Sequence, residues 1–137
     1  MKIIVCLDKQ NGMLFNSRRQ SQDDLLRKRI IEMSKNSRLL MNNYSANQFD
    51  NFPEIFVSEN FLNEAETGDY CFIENNNIPA QGVEEFIIYK WNRKYPADIF
   101  FTFDLKTNGF KKVKSTDFSG SSHEKITEEI YIKSKGK

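Results

Sequence analysis

Ile3-Ile4-Val5-Cys6-Leu7 is an unbroken apolar run, rich in β-branched side chains and free of polar alternation. A strand of this kind has to be covered on both faces, which is the pattern of a central strand in an α/β sheet and not of a half-exposed hairpin. The run stops at Asp8, too short and wrongly flanked for a signal peptide. No later stretch reaches the roughly 18 apolar residues of a membrane span. A cytoplasmic protein is therefore expected. The 137 residues fit a single domain over 1–137, and twelve Phe supply its core.

The next residues set the chemistry that such a strand can feed. Residues 8–17 read as a loop: Asn11-Gly12 is a turn dipeptide, and Met13, Leu14 and Phe15 lay apolar surface back over the body, next to a cleft. Ser21 is expected to cap a helix, with Asp24 at the acidic position of a capping box. Leu26, Ile30 and Met33 follow at helical spacing, and the helix should end near Lys35-Asn36. Leu39–Met41 is a second short buried strand. Ser45 is expected to cap a short helical segment ending near Phe49.

A strand is expected over 54–58, a short helix over 59–66 closed by Gly68, and a third buried strand over 70–74. After the polar loop at 75–79, strands are expected over 84–91, 99–103 and 110–114, with a turn at Asn108-Gly109. Ile126–Lys133 reads as a last, antiparallel edge strand. Strands separated by helices early and joined by hairpins late give an α/β, single-domain, three-layer sandwich. Its mixed sheet is parallel in the first half and antiparallel at the C-terminus.

Cys6 and Cys71 each lie inside an apolar run and are expected as reduced thiols in neighbouring strands. A net charge of +1 with 28% charged residues lacks the basic excess of a nucleic-acid domain. One histidine, His123, cannot supply a zinc-hydrolase ligand set, so no metal site is expected.

With Gly12-Met13 after the first strand, a carboxylate at Asp24 (less well Asp23) where the first helix begins, and Leu40-Met41 closing the second strand, the chain resembles dihydrofolate reductase. Ile87-Ile88-Tyr89, Asp98, Phe100-Phe101 and the terminal strand extend the resemblance over nearly the whole length. It implies a dihydrofolate reductase-like fold, with Asp24 as the acid that bonds the pterin ring. Asp98 would hydrogen-bond the Gly12 loop. The family's Gly-Gly pair is replaced by Glu74-Asn75-Asn76-Asn77, and its phosphate-binding basic residue by Asn43. No cofactor is therefore expected, and NADPH in the usual manner is disfavoured, because glycine lets the backbone approach a pyrophosphate and Glu74 repels it.

Each candidate also has a structural reading. Asp24 is explained by capping. Arg18 and Arg19, before a helix start, could hold an anion or be solvated. Residues 90–96 interleave basic and aromatic side chains, as single-strand binders do, but are more simply a loop packed on the Gly12 loop. Ser121-Ser122-His123-Glu124 reads as a turn. The expected ligand contacts are Gly12, Met13, Arg18, Arg19, Tyr44, Ser45, Glu74, Tyr89 and Asp98. The favoured function is a small-ligand- or protein-binding protein without standard reductase activity. The alternatives are an NADPH-dependent reductase of a pterin or nucleotide-like substrate, and a nucleic-acid-associated protein using Arg18, Arg19, Lys90 and Arg93.

Overall fold

A computed structural model describes residues 1–50 and 52–134. In chain order the elements are β1 (Lys2–Leu7), β2 (Gly12–Phe15), β3 (Arg18–Arg19), α1 (Asp24–Met33), β4 (Leu39–Met41), α2 (Asn43–Gln48), β5 (Ile55–Val57), α3 (Phe61–Glu64), β6 (Tyr70–Phe72), β7 (Glu85–Lys90), β8 (Ile99–Phe100), β9 (Phe110–Phe118) and β10 (Ile126–Lys133). Seven strands form one sheet in the order β5-β4-β6-β1-β7-β10-β9. β1 pairs parallel with β6 on one side and with β7 on the other. β10 runs antiparallel to both β7 and β9. The mixed α/β sheet expected from the sequence is present.

The apolar run of β1 is used on both faces, as its lack of alternation requires. Ile3, Val5 and Leu7 join Leu40, Phe61, Cys71, Phe86 and Ile88 in one core. Ile4 joins Leu26, Ile30, Met41, Ala46, Ile87 and Tyr89 in the other. α1 and α2 cover the second face. α3 and the segment carrying Phe101 and Phe110 cover the first, so the sheet is the middle of three layers. Cys6 and Cys71 are free and sit in neighbouring strands.

Three local expectations change. The apolar residues 13–15 are not loop but strand: β2 forms a small separate sheet with β3 and β8, in the order β3-β2-β8. Asn16 and Ser17, both at positive φ (52° and 63°), make the two-residue turn between β2 and β3. Such a turn matches the twist of paired strands. Second, β10 is interior, and β9 is the edge. β9 runs to Phe118, longer than expected, and its exposed Lys111, Lys112 and Lys114 guard that edge against pairing with other chains. Third, the helix caps move. Asp23, not Ser21, caps α1, and Asn42, not Ser45, caps α2. Both replacements accept backbone N–H groups from their first turns.

The first core has an aromatic centre. Phe86 is fully buried and meets Phe110 and Phe101 edge-on, with ring centroids 4.9 and 6.0 Å away. Phe86→Ala is expected to cost about 3–5 kcal/mol. In urea unfolding the midpoint should fall while the slope stays unchanged.

Candidate functional site

The parallel strands place their carboxyl ends along one edge of the sheet, where ligands of open α/β folds bind. Asp8 follows β1, Asn42 follows β4, Glu74 lies just past β6, and Trp91 follows β7. The small sheet folds over this edge. Asp8 fixes its start, accepting from the Gly12 N–H (2.7 Å), the Gln10 N–H (2.8 Å) and the Tyr95 N–H (3.1 Å). Gly12 is needed there: a Cβ would lie 2.6 Å from both Ala97 Cβ and Gln20 Nε2. Asp98 accepts from the Asn16 N–H at 3.1 Å, tying the β2–β3 turn to the β7–β8 loop. Asp98 thus bonds the Gly12 loop, as the resemblance implied.

Strand alternation across the turn sends Arg18 to solvent and Arg19 inward. Arg19 forms a two-pronged pair with Glu74, Nε to Oε2 at 2.9 Å and Nη2 to Oε1 at 3.1 Å. Its guanidinium lies 4.4 Å from the Tyr44 ring centroid and donates to the Tyr44 carbonyl at 3.0 Å. Glu74 also accepts from Ser45 Oγ and Gln48 Nε2, both at 2.9 Å. All four in-plane acceptor positions of the carboxylate are therefore used. Burial opposes the charge on Arg19, but the hydrogen bond and charge of Glu74 outweigh it and raise its pKa. The void left beside this pair, bordered by Cys6, Met13, Ser21, Phe72 and Trp91, is only about 10 Å³.

A larger cleft of about 370 Å³ opens on the other side of Met13 and Glu74, between the small sheet and the 75–78 loop. Ile78, Ile99, Phe100 and Phe103 give it apolar walls, and Asn75, Asn76, Asn77 and Thr102 give it polar groups. No Lys or Arg lines it. Asn42 Nδ2 donates to the side chains of Asn75 (2.8 Å) and Asn76 (3.0 Å), fixing the loop that follows β6.

The structure assembles a second constellation that the sequence had reduced to a turn. His123 is buried and stacks on Trp91 with centroids 4.5 Å apart. Its Nδ1 lies 3.0 Å from Asp23 Oδ2, and its Nε2 lies 3.0 Å from Ser21 Oγ and 3.1 Å from the Tyr95 hydroxyl. Asp23 also accepts from the backbone N–H groups of Leu25, Leu26, Ser121 and Ser122. A side chain at Gly120 would overlap its carboxylate. Burial works against the Asp23 charge, but the His123 bond and these N–H groups win and hold its carboxyl far below the usual range. Carboxylate, imidazole and hydroxyl stand in the order that activates a serine. The void bordering Ser21 is about 10 Å³, about what one water needs. The cluster is a tie that fastens the 119–123 loop to the cap of α1.

The expected site residues therefore divide. Met13, Arg19, Tyr44, Ser45 and Glu74 come together. Gly12 and Asp98 shape the small sheet, and Arg18 is exposed beside a shallow groove at Tyr95 and Pro96. Asp24 does not reach the cleft: it is exposed and pairs with Arg27, while its neighbour Asp23 is the buried acid. Tyr89 is fully buried inside the second core and donates to Glu128 at 2.7 Å, so it borders no cleft. Of the four cations grouped for nucleic acid, Arg19 is held by Glu74 and Lys90 by Glu129 at 3.4 Å. Burial pushes the Cys71 thiol up to about 12 and the Cys6 thiol higher still, so neither is a nucleophile at neutral pH. Among the described residues no three His, Cys, Asp or Glu side chains group to hold a metal. No helix there is long and apolar enough to cross a membrane.

A seven-stranded mixed sheet, helices on both faces and a loop sheet folded over the carboxyl edge make this a protein of dihydrofolate reductase-like fold. A dihydrofolate reductase from Enterococcus faecalis, solved in complex with NADP(H) and RAB-propyl, superposes with a TM-score of 0.67. That match covers 98% of this chain and 96% of that one at 13% identity. No protein-family model matches the chain, and no curated protein does.

Asp23→Ala should cost about 2–4 kcal/mol, combining the lost cap with stranded buried donors. Asp23→Asn tests the charge. A carboxylate with a depressed folded pKa contributes stability that is present above about pH 4 and lost as pH falls towards that lower value. The wild-type protein should therefore lose stability more steeply than Asp23→Asn in urea melts taken from pH 5 down to pH 2.

Proposed function

We propose that this is a cytoplasmic small-molecule-binding protein whose ligand enters the cleft between the small sheet and the 74–78 loop, and that it does not carry out NADPH-dependent reduction. The observation that supports this most is the charge of that cleft. Its lining holds one carboxylate, Glu74, and no cation. Glu74 is already paired with Arg19, so a dinucleotide's phosphates would meet no cation on these walls to offset their charge. The backbone at 74–77 also carries side chains where close approach to a pyrophosphate calls for glycine. Apolar walls with a few convergent amides suit an uncharged or cationic ring compound instead.

Backbone NMR of the full chain with NADPH, NADP and a fragment set of neutral, cationic and anionic ring compounds tests this reading. NADPH at millimolar concentration should leave the melting temperature unchanged. A ligand at 100 times its dissociation constant would stabilise by about 2.7 kcal/mol, an easily visible shift. Neutral or cationic fragments should move the amide resonances of Asn75, Asn76, Asn77 and Phe100. A saturable NADPH shift on those same resonances would overturn the reading.

A further inference from the structure

The chain has six arginines, and four of them sit against a carboxylate: Arg19 on Glu74, Arg27 on Asp24, Arg29 on Glu128 and Arg38 on Asp69. Arg18 and Arg93 have no acid partner among the described residues, and both belong to the surface around Tyr95. Arg18 lines a groove of about 560 Å³ together with Phe15, Tyr95 and Pro96; Arg19 also borders it, but is held by Glu74. Arg93 and Lys94 stand just before Tyr95 in its loop. The Lys9 N–H donates to the Arg93 carbonyl at 2.8 Å, which brings a fourth cation alongside. Lys9, Arg18, Arg93 and Lys94 are all exposed. No carboxylate lines the groove. The acids of the contributing segments, 8–20 and 92–98, are Asp8, which is buried, and Asp98, which accepts from the Asn16 N–H. A net charge of +1 for the whole chain therefore conceals a local cationic face.

The same groove carries aromatic rings. Phe15 is 42% exposed and belongs to neither core. It lies directly opposite Arg18 in the β2–β3 ladder, so ring and guanidinium project to one side of the small sheet. Tyr95 is fixed in place, its N–H on Asp8 and its hydroxyl at His123. With those polar ends engaged, its ring is what remains for the groove. Aromatic rings beside unpaired cations, with no acid between them, are what a single strand needs: bases stack on the rings and phosphates follow the charges. Arginine adds a planar fork that fits a phosphate. From these observations we propose that this face binds single-stranded nucleic acid, with bases on Phe15 and Tyr95 and phosphates on Arg18, Arg93, Lys94 and Lys9. The groove shares no lining residue with the ligand cleft described above, so the two readings stand or fall separately.

The test is fluorescence anisotropy of a short, labelled, mixed-sequence single strand with the full chain, between about 50 mM and about 200 mM salt. The comparison ligands are the matched duplex, poly-glutamate, uridine monophosphate and phosphatidylglycerol vesicles. The strand should bind in low salt and weaken steadily as salt rises. Arg18→Ala should weaken it and lower the salt slope by about one. Phe15→Ala should weaken it about fivefold or more with the slope unchanged, because a ring carries no charge. Lys111→Ala, an exposed lysine on the distant β9 edge, should bind as the wild type does. All three side chains are exposed, so the melting temperatures should match the wild type and show that each variant folds. In backbone NMR the strand should move the amides of Arg18, Lys94 and Tyr95 and leave those of Asn75 to Asn77 in place. No binding in low salt overturns the proposal. Equal binding of duplex or poly-glutamate, or a Phe15→Ala variant as tight as the wild type, shows general attraction for polyanions and overturns it too. So does uridine monophosphate binding as tightly as the strand, which would make this a free-nucleotide site. Vesicles that capture the wild type but not Phe15→Ala, with no strand bound, would make it a membrane-facing surface and overturn it as well.

Discussion

β1 is hydrogen-bonded in parallel on both of its edges, and most of the molecule follows from that pairing. Parallel neighbours cannot be joined by a tight turn; the chain has to cross over the sheet and return. The crossovers supply the layers that bury Ile3, Val5 and Leu7 on one face and Ile4 on the other. They also bring the ends of β1, β4, β6 and β7 to one edge. Asp8, Asn42, Glu74 and Trp91 meet there although they are far apart in sequence. Two features then finish the edge: the small sheet, started by Asp8, and the 119–123 loop, fastened to Asp23.

The chemistry of that edge is an electrostatic compromise. Glu74 sits where four strands end, nearly buried, and its charge is tolerated because four donors converge on it. Two come from α2 and two from Arg19. The body alone can therefore orient the carboxylate but cannot neutralise it. Asp23 is handled differently. Backbone N–H groups from two segments and the His123 ring surround it, so its charge is stabilised without an arginine, and it welds elements together instead of facing a void. The two carboxylates lie in one neighbourhood, yet one is neutralised by an arginine and the other is held by backbone N–H groups and an imidazole.

The legible part of the chain was periodicity. The apolar run of β1, the helical spacing of Leu26 and Ile30, and the buried strands at Leu39–Met41 and Tyr70–Phe72 all carry local patterns, and all are present. What was misread depends on partners distant in sequence. Asp24 fits a capping box counted from Ser21, but the cap is two residues later, at Asp23, to which Ser121 and Ser122, about a hundred residues on, present their N–H groups. Nothing near Asp23 in the chain records that. Met13, Leu14 and Phe15 looked like loop because their strand partner, β8, comes some eighty residues later. Asn16-Ser17 could have signalled the turn, since Asn accepts positive φ readily. β10 was taken for an edge because alternation is the same for an edge strand and for one covered by a single further strand.

The sequence by itself determined the layered α/β architecture, the central place of β1, and the presence of a carboxylate, Glu74, just past the third buried strand. Apolar periodicity and residue type are local properties and survive without coordinates. Only the tertiary structure decided which acid is buried, that His123 closes on it, and that Arg19 reaches across to Glu74. Those facts depend on which side chains the parallel crossovers bring to the carboxyl edge, and that is a property of strand order, which no local pattern encodes.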